Sequence, residues 1–163
     1  MRQCLGDWSG LTVTVVGDIR HSRVARSNLK LLRLLGVGAL RVAAPAALHA
    51  DDLDDPAVQR FEQLEPALAG ADVVMALRVQ HERMAQGGSP DPAAFHADWG
   101  LTTARLARAA PHAIVLHPGP INRGVEIASE VADGPRSMIL AQVGNGVAVR
   151  MAVLEALLAP APR

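Results

Sequence analysis

The chain has 163 residues, half of them hydrophobic, which fits one domain around one substantial core. Its 16 basic and 16 acidic side chains cancel, and two Phe, two Trp and no Tyr leave few faces on which bases could stack, which argues against a nucleic-acid partner. A single cysteine, Cys4, allows no internal disulfide; no apolar run is read as approaching the roughly 20 residues of a membrane span, and no apolar signal core follows Met1-Arg2, so the expected setting is the cytoplasm with no membrane partner.

Residues before Gly10 show no helix or strand period. Leu11 to Gly17 (LTVTVVG) is short and β-branched, a strand; Ser22 can cap a helix whose Val24, Leu31, Leu32 and Leu35 recur near helical spacing until Gly36. Leu40 to Ala43 supplies a second strand and completes a βαβ unit. Pro45 to Pro56 reads as a loop whose acidic run Asp51, Asp52, Asp54 and Asp55 is a solvated surface rather than a metal site. A helix follows around Leu64 to Leu68. Ala71 to Leu77 (ADVVMAL) is a continuous apolar run, the pattern of a strand buried on both faces. Gln86 to Pro92 (QGGSPDP) reads as a mobile loop, Leu101 to Ala109 as helix and Ala113 to Leu116 as strand. Ser137 to Leu158 is a long apolar closing segment interrupted at Gly144-Asn145-Gly146, and Pro160 to Arg163 is a frayed tail. Alternating strands and helices imply an α/β fold with a doubly wound, mostly parallel sheet and helices on both faces.

Ligands in such sheets bind beyond the carboxyl ends of the strands. The first strand is followed there by Arg20, His21, Ser22 and Arg23 at a helix N-terminus, where free amides and the dipole add to the guanidinium. ADVVMAL is followed by Arg78, Val79 and Gln80, and AIVL by His117-Pro118-Gly119-Pro120. Arg23 and Arg78 with Gln80 suit a small molecule with two planar anions, each held through a bidentate pair. The prolines remove backbone donors and leave carbonyls of His117, Pro118 and Gly119 as acceptors for an ammonium or amide. Two anion grips and a carbonyl wall fit an amino dicarboxylic acid.

Simpler roles compete for some of these residues. Arg78 is spaced to pair with Glu82, Arg26 and Arg33 read as helix-surface charges, and His21, His81 and His117 read as structural donors rather than catalysts. No G-x-G-x-x-G, P-loop, H-E-x-x-H, C-x-x-C or G-x-S-x-G pattern is present, which argues against the two common nucleotide loops, a metal site and a serine hydrolase. Gly17-Asp18 alone would also suit a flavodoxin-like nucleotide or phospho-acceptor module, but that reading leaves Arg78-Val79-Gln80 and His117-Pro118 unexplained.

GDIRHSRVARSN, LRVQHERM, HPGPINRGVEI and QVGNGVAVRMAVLEALL, in this order and at these separations, closely resemble the C-terminal half of bacterial aspartate carbamoyltransferase catalytic chains. The likeness runs from Gly10 to Leu158. The sister ornithine enzymes carry His-Cys-Leu-Pro where this chain has His117-Pro118-Gly119-Pro120, and their substrate has an amine where this chain offers Arg78 and Gln80.

The resemblance implies that Arg23 holds the α-carboxylate of L-aspartate, that Arg78 and Gln80 hold its side-chain carboxylate, and that the backbone at Pro118 and Gly119 faces the reacting amino and carbamoyl groups. It implies a mobile loop from Gln80 to about Trp99 with Arg83 as a loop-positioning residue, and no catalytic residue is assigned in this half. The implied reaction is carbamoyl transfer from carbamoyl phosphate to aspartate in pyrimidine biosynthesis, without metal or cofactor, driven by orientation and oxyanion stabilisation. In the family a carbamoyl-phosphate domain with a Ser-x-Arg-Thr-Arg motif precedes this half, whereas only MRQCLGDWS stands before Gly10. The expectation is therefore an irregular 1–9, an aspartate-binding domain over 10–158, a tail over 159–163, no carbamoyl-phosphate domain, and little activity alone. The last helix presents Val147, Met151, Leu154, Leu157 and Leu158 as an apolar face expected to find a second copy or a complementing chain, or else to leave the helix disordered. The competing reading is a binding or assembly module derived from this family that has lost the transferase role.

Overall fold

The computed structural model describes residues 1–51, 55–80 and 91–158. Among these residues five strands form one parallel sheet: β1 (Thr12–Gly17), β2 (Ala39–Ala43), β3 (Val58–Phe61), β4 (Val73–Leu77) and β5 (Ile114–Leu116), in spatial order β3-β2-β1-β4-β5. Alternation along the central strands sorts side chains into two cores. Val13, Val15, Val73, Met75 and Leu77 join one hydrophobic cluster, and Val16, Val74 and Ala76 join the other. Helix α2 (Arg23–Leu34) covers the first face with Ala25, Leu29 and Leu32, while α3 (Leu64–Leu68), α5 (Thr103–Leu106) and α6 (Ser129–Ala132) cover the second. The sheet is thus doubly wound with helices on both faces, as the pattern of the sequence implies.

Local chemistry sets several boundaries. Ser22 caps α2, its Oγ accepting from Ala25 N at 3.1 Å, and Gly36, at φ 74°, lets the chain turn out of the helix. On the second face, Thr14 donates its hydroxyl to the Ala67 carbonyl at 2.9 Å, so the one polar side chain in β1's buried run is satisfied. The outer edge of β5 is not left bare: Val115 N donates to Arg136 O and Met138 N to Val115 O.

Several elements depart from the sequence reading. Residues Arg2–Leu5 form one helical turn, α1, closed by bonds from Cys4 and Leu5 amides to Met1 O and seated by Leu5 against the first core. Strand β3 escapes detection because it lies on the edge and exposes Gln59 and Arg60. Of the acidic run, Asp51 meets Arg20 at 3.6 Å and Asp55 meets Arg33, while residues 52–54 lie outside the described residues.

Residues 92–99, read as the end of a mobile loop, are helix α4 (Pro92–Trp99). Asp91 caps it by accepting from Ala94 N at 2.8 Å, Pro92 suits its first turn, and Phe95 is buried. Arg105 closes its other end, donating to the carbonyls of His96, Ala97 and Gly100 while its Nε meets Glu65 at 2.9 Å. That hydrogen bond from Arg105 holds the Glu65 carboxyl below its ordinary range. The folded value being depressed, the pair's contribution is present above the unfolded value and fades as pH falls through the folded one. Arg105→Ala is expected to cost about 2 kcal/mol and to lower the thermal midpoint by about 4–8 °C at neutral pH; an unchanged melting curve would contradict this role.

Helix α7 (Ile139–Leu158) runs unbroken through Gly144-Asn145-Gly146, and among its residues only Ile139 is buried. Leu140, Leu157 and Leu158 are 86%, 76% and 80% exposed, and Val147, Met151 and Leu154 are open as well. By length and composition this helix could cross a membrane, which corrects the expectation that no run approaches that length.

Candidate functional site

The strand order reverses beside β1: β2 and β3 extend the sheet to one side, β4 and β5 to the other. Gly17 stands in register with Leu77, and Met75 with Leu116, so the carboxyl ends of β1, β4 and β5 lie side by side at the topological switch point. The closeness of β1 to β4 depends on Gly17. Its φ is 117°, and a Cβ there would sit 2.6 Å from the Leu77 carbonyl oxygen, a distance no side chain tolerates.

Directly after Gly17, the carboxylate of Asp18 is fully buried and joins two strand ends. It accepts from His21 N at 3.0 Å and Gln80 N at 3.2 Å, and meets His21 Nδ1 at 2.9 Å, which places a ring proton on Nδ1. Sequence reasoning passes over this joint, although an acid ending an apolar strand among Arg20, His21, Arg23 and Arg26 is its signal.

Around that joint, Arg23 opens α2 and is exposed, beside the helix's free amides. Arg78 and Gln80 are half-buried just beyond β4, the backbone of Gln80 tethered to Asp18. Arg26 donates to the Arg20 carbonyl at 2.9 Å and so braces the loop, in keeping with a local role. His81, Glu82 and Arg83 lie outside the described residues, with the rest of 81–90.

Beyond β5, His117 is fully buried and structural. Its backbone amide donates to Gln142 Oε1 of α7 at 3.0 Å, its Nδ1 accepts from Gly119 N at 2.9 Å, and its Nε2 faces Glu126 Oε1 at 3.2 Å. Pro118 and Gly119 are half-buried, and their carbonyls accept no hydrogen bond among the described residues. Between His117-Pro118 and Gln142, Gly146 and Arg150 of α7 lies an open cleft of about 530 Å³. Glu126 and Gln142, which hold this turn, are not candidates of the sequence reading. The arrangement offers guanidinium groups for anions and carbonyl acceptors for an amine, on three adjacent strand ends.

Residues 9–157 match the family described as "Aspartate/ornithine carbamoyltransferase, Asp/Orn binding domain". The aspartate carbamoyltransferase catalytic subunit of Xanthomonas campestris pv. campestris (strain B100) is 58% identical over 161 residues, which cover 97% of this chain and 50% of that protein. The structure of aspartate transcarbamoylase from Trypanosoma cruzi in complex with carbamoyl aspartate and phosphate superposes with a TM-score of 0.80 at 30% identity, over 97% of this chain and 52% of that one. Ornithine carbamoyltransferase from Thermus thermophilus gives the same TM-score, 0.80, at 26% identity, covering 97% of this chain and 52% of its own. Backbone shape alone therefore does not separate the two substrate classes. The chain spans about half the length of the curated relatives it matches.

Proposed function

The chain belongs to the aspartate/ornithine carbamoyltransferase family, and we propose that it forms the aspartate-binding half of an aspartate carbamoyltransferase. The observation that carries this reading is the Asp18 joint: it ties the Gln80 backbone to the end of β1, just before the helix that starts at Arg23, so two guanidinium groups and an amide would serve one crevice. Arg23 would take the α-carboxylate of aspartate, and Arg78 with Gln80 the side-chain carboxylate. The Pro118 and Gly119 carbonyls would accept from the amine. An ornithine side chain would bring its own cation to Arg78, which costs binding by like-charge contact.

In the reaction the aspartate amine attacks the carbonyl carbon of carbamoyl phosphate. A C–N bond forms, the C–O bond to phosphate breaks, phosphate departs and the amine loses a proton, giving N-carbamoyl-L-aspartate. This chain's part is to hold and orient the amine, a contribution of geometry rather than of a covalent group.

The other half of the relatives' length would supply the carbamoyl-phosphate site. The open face of α7 suits that role: Arg150 and Glu155 lie within the helix and Gln142 is tied to His117, which favours a protein cover over lipid, where each central charge costs about 3 kcal/mol. The same face supports a second reading, an assembly module that needs its partner and has lost the transferase role.

The deciding assay measures carbamoyl-aspartate formation by this chain alone and mixed with a separately produced carbamoyl-phosphate domain of a close relative. Turnover in the mixture and little or none alone is expected. Silence in a mixture whose two pieces demonstrably associate would leave the assembly reading in place.

A further inference from the structure

The buried pair His117–Glu126 lies outside the groups assigned to substrate, and its hydrogen-bond pattern is asymmetric. Glu126 Oε1 faces His117 Nε2 at 3.2 Å and accepts the Asn122 amide at 2.6 Å, while its buried Oε2 has no hydrogen-bond partner among the described residues. One oxygen therefore carries the whole interaction. On the ring's other side, Nδ1 faces the Gly119 amide at 2.9 Å. A backbone N–H can only donate, so Nδ1 must present its lone pair, and the ring's proton must sit on Nε2, facing Glu126.

We propose that Glu126 is a positioning residue for the aspartate amine: by accepting from His117 Nε2–H it holds the ring in the tautomer that binds the Gly119 amide, and so sets the Pro118–Gly119 carbonyls. The causal chain is short. Without an acceptor at position 126, the fully buried Nε2–H has no partner. Moving the proton to Nδ1 removes that unpaired buried N–H but aims a donor at the Gly119 amide, and two facing donors open the turn. The Pro118 and Gly119 carbonyls then lose the orientation in which they accept no hydrogen bond among the described residues. The anion grips at Arg23 and Arg78 are on other strand ends and stay in place.

This inference rests on the aspartate-binding reading and deepens it, because it separates recognition of the amine from recognition of the two carboxylates. Aspartate and succinate differ only in that amine. Glu126→Leu is expected to weaken aspartate binding about tenfold, the scale of one charge-assisted hydrogen bond, and to leave succinate within about twofold. Glu126→Gln, which keeps a carbonyl oxygen where Oε1 stands, is expected to retain the wild-type preference.

The test uses the 163-residue chain. Nitrogen-15 NMR of His117 in wild type, Glu126→Gln and Glu126→Leu reports the tautomer, amide exchange at Gly119 reports the turn, and titrations with aspartate and with succinate report selectivity. The expected result is an Nε2–H ring in wild type and Glu126→Gln, with at least tenfold faster Gly119 exchange and lost aspartate preference in Glu126→Leu. A wild-type ring protonated on Nδ1, or a Glu126→Leu chain with unchanged ring, exchange and selectivity, would overturn the proposal. If Glu126→Leu does not fold, the wild-type and Glu126→Gln spectra still decide it. Absence of binding of either dicarboxylate to wild type would strike the aspartate reading instead, while the ring signature continues to report on Glu126.

Discussion

Arg78→Ala is expected to weaken succinate and aspartate binding about 100-fold or more while leaving the melting temperature within about 2 °C of wild type. The size follows from losing a guanidinium that, in the proposed site, would grip a carboxylate through two charge-assisted bonds at about 1.5–3 kcal/mol each. The small stability effect follows from its place: Arg78 is half-buried beyond the end of β4, outside both cores. Arg78→Lys is expected to recover little, because an ammonium offers a point charge and not a planar fork. Calorimetric titration of each variant alongside thermal melting checks both halves of the expectation. Equal affinity in Arg78→Ala and wild type would remove Arg78 from the site, and a collapse of the melting temperature would recast it as structural.

Gly17→Ala is expected to act in the opposite way, through the fold. An added Cβ would lie 2.6 Å from the Leu77 carbonyl oxygen and 3.4 Å from its carbon, at a φ of 117° that side chains avoid. Backbone strain of about 1–3 kcal/mol and a steric cost of similar size together take a large share of a domain's usual 5–15 kcal/mol. The melting temperature should fall by about 10 °C. Succinate binding should weaken even below the transition, since the clash pushes β4 away from β1 and strains the Asp18–Gln80 bond at 3.2 Å. Gly144→Ala supplies the control: nothing stands within 4 Å of its Cβ position, so that change is expected to be neutral or to stabilise α7 by up to about 1 kcal/mol. Similar melting shifts for the two variants would refute the close approach at Gly17.

The parts legible in the sequence are those whose signal is local. The apolar runs of β1 and β4 are buried on both faces and announce themselves without a partner. The cap at Ser22 and the charges after each strand are likewise read from neighbouring residues. What stayed hidden depends on distant partners. Asp18 meets the Gln80 amide across 62 positions, and Gln142 meets the His117 amide across 25, so neither acceptor has a nearby mark. Edge strand β3 shows the same limit, since Gln59 and Arg60 face solvent and its pairing comes from β2. Helix α4 is obscured by the Gly, Ser and Pro that precede it, although its Phe95 is held by the core and its C-terminus by Arg105. The glycines of α7 predict a break that does not occur because the helix continues on both sides and nothing presses on them.

The position of β1 in the middle of the sheet has a consequence for how the chain acquires the proposed binding site. β1, α2 and β2 can come together from a short stretch of chain, but Val13 pairs with Val73, sixty positions along, before the switch point exists. Closing that long loop costs entropy that local contacts do not return, so the β1–β4 seam belongs to the late, non-local part of assembly. A partly folded chain can therefore hold its helices and its first βαβ unit yet offer no crevice. Recovery of dicarboxylate affinity after dilution from denaturant should trail the recovery of helical signal, and occupancy of the site should retard unfolding of the whole sheet rather than of one corner of it.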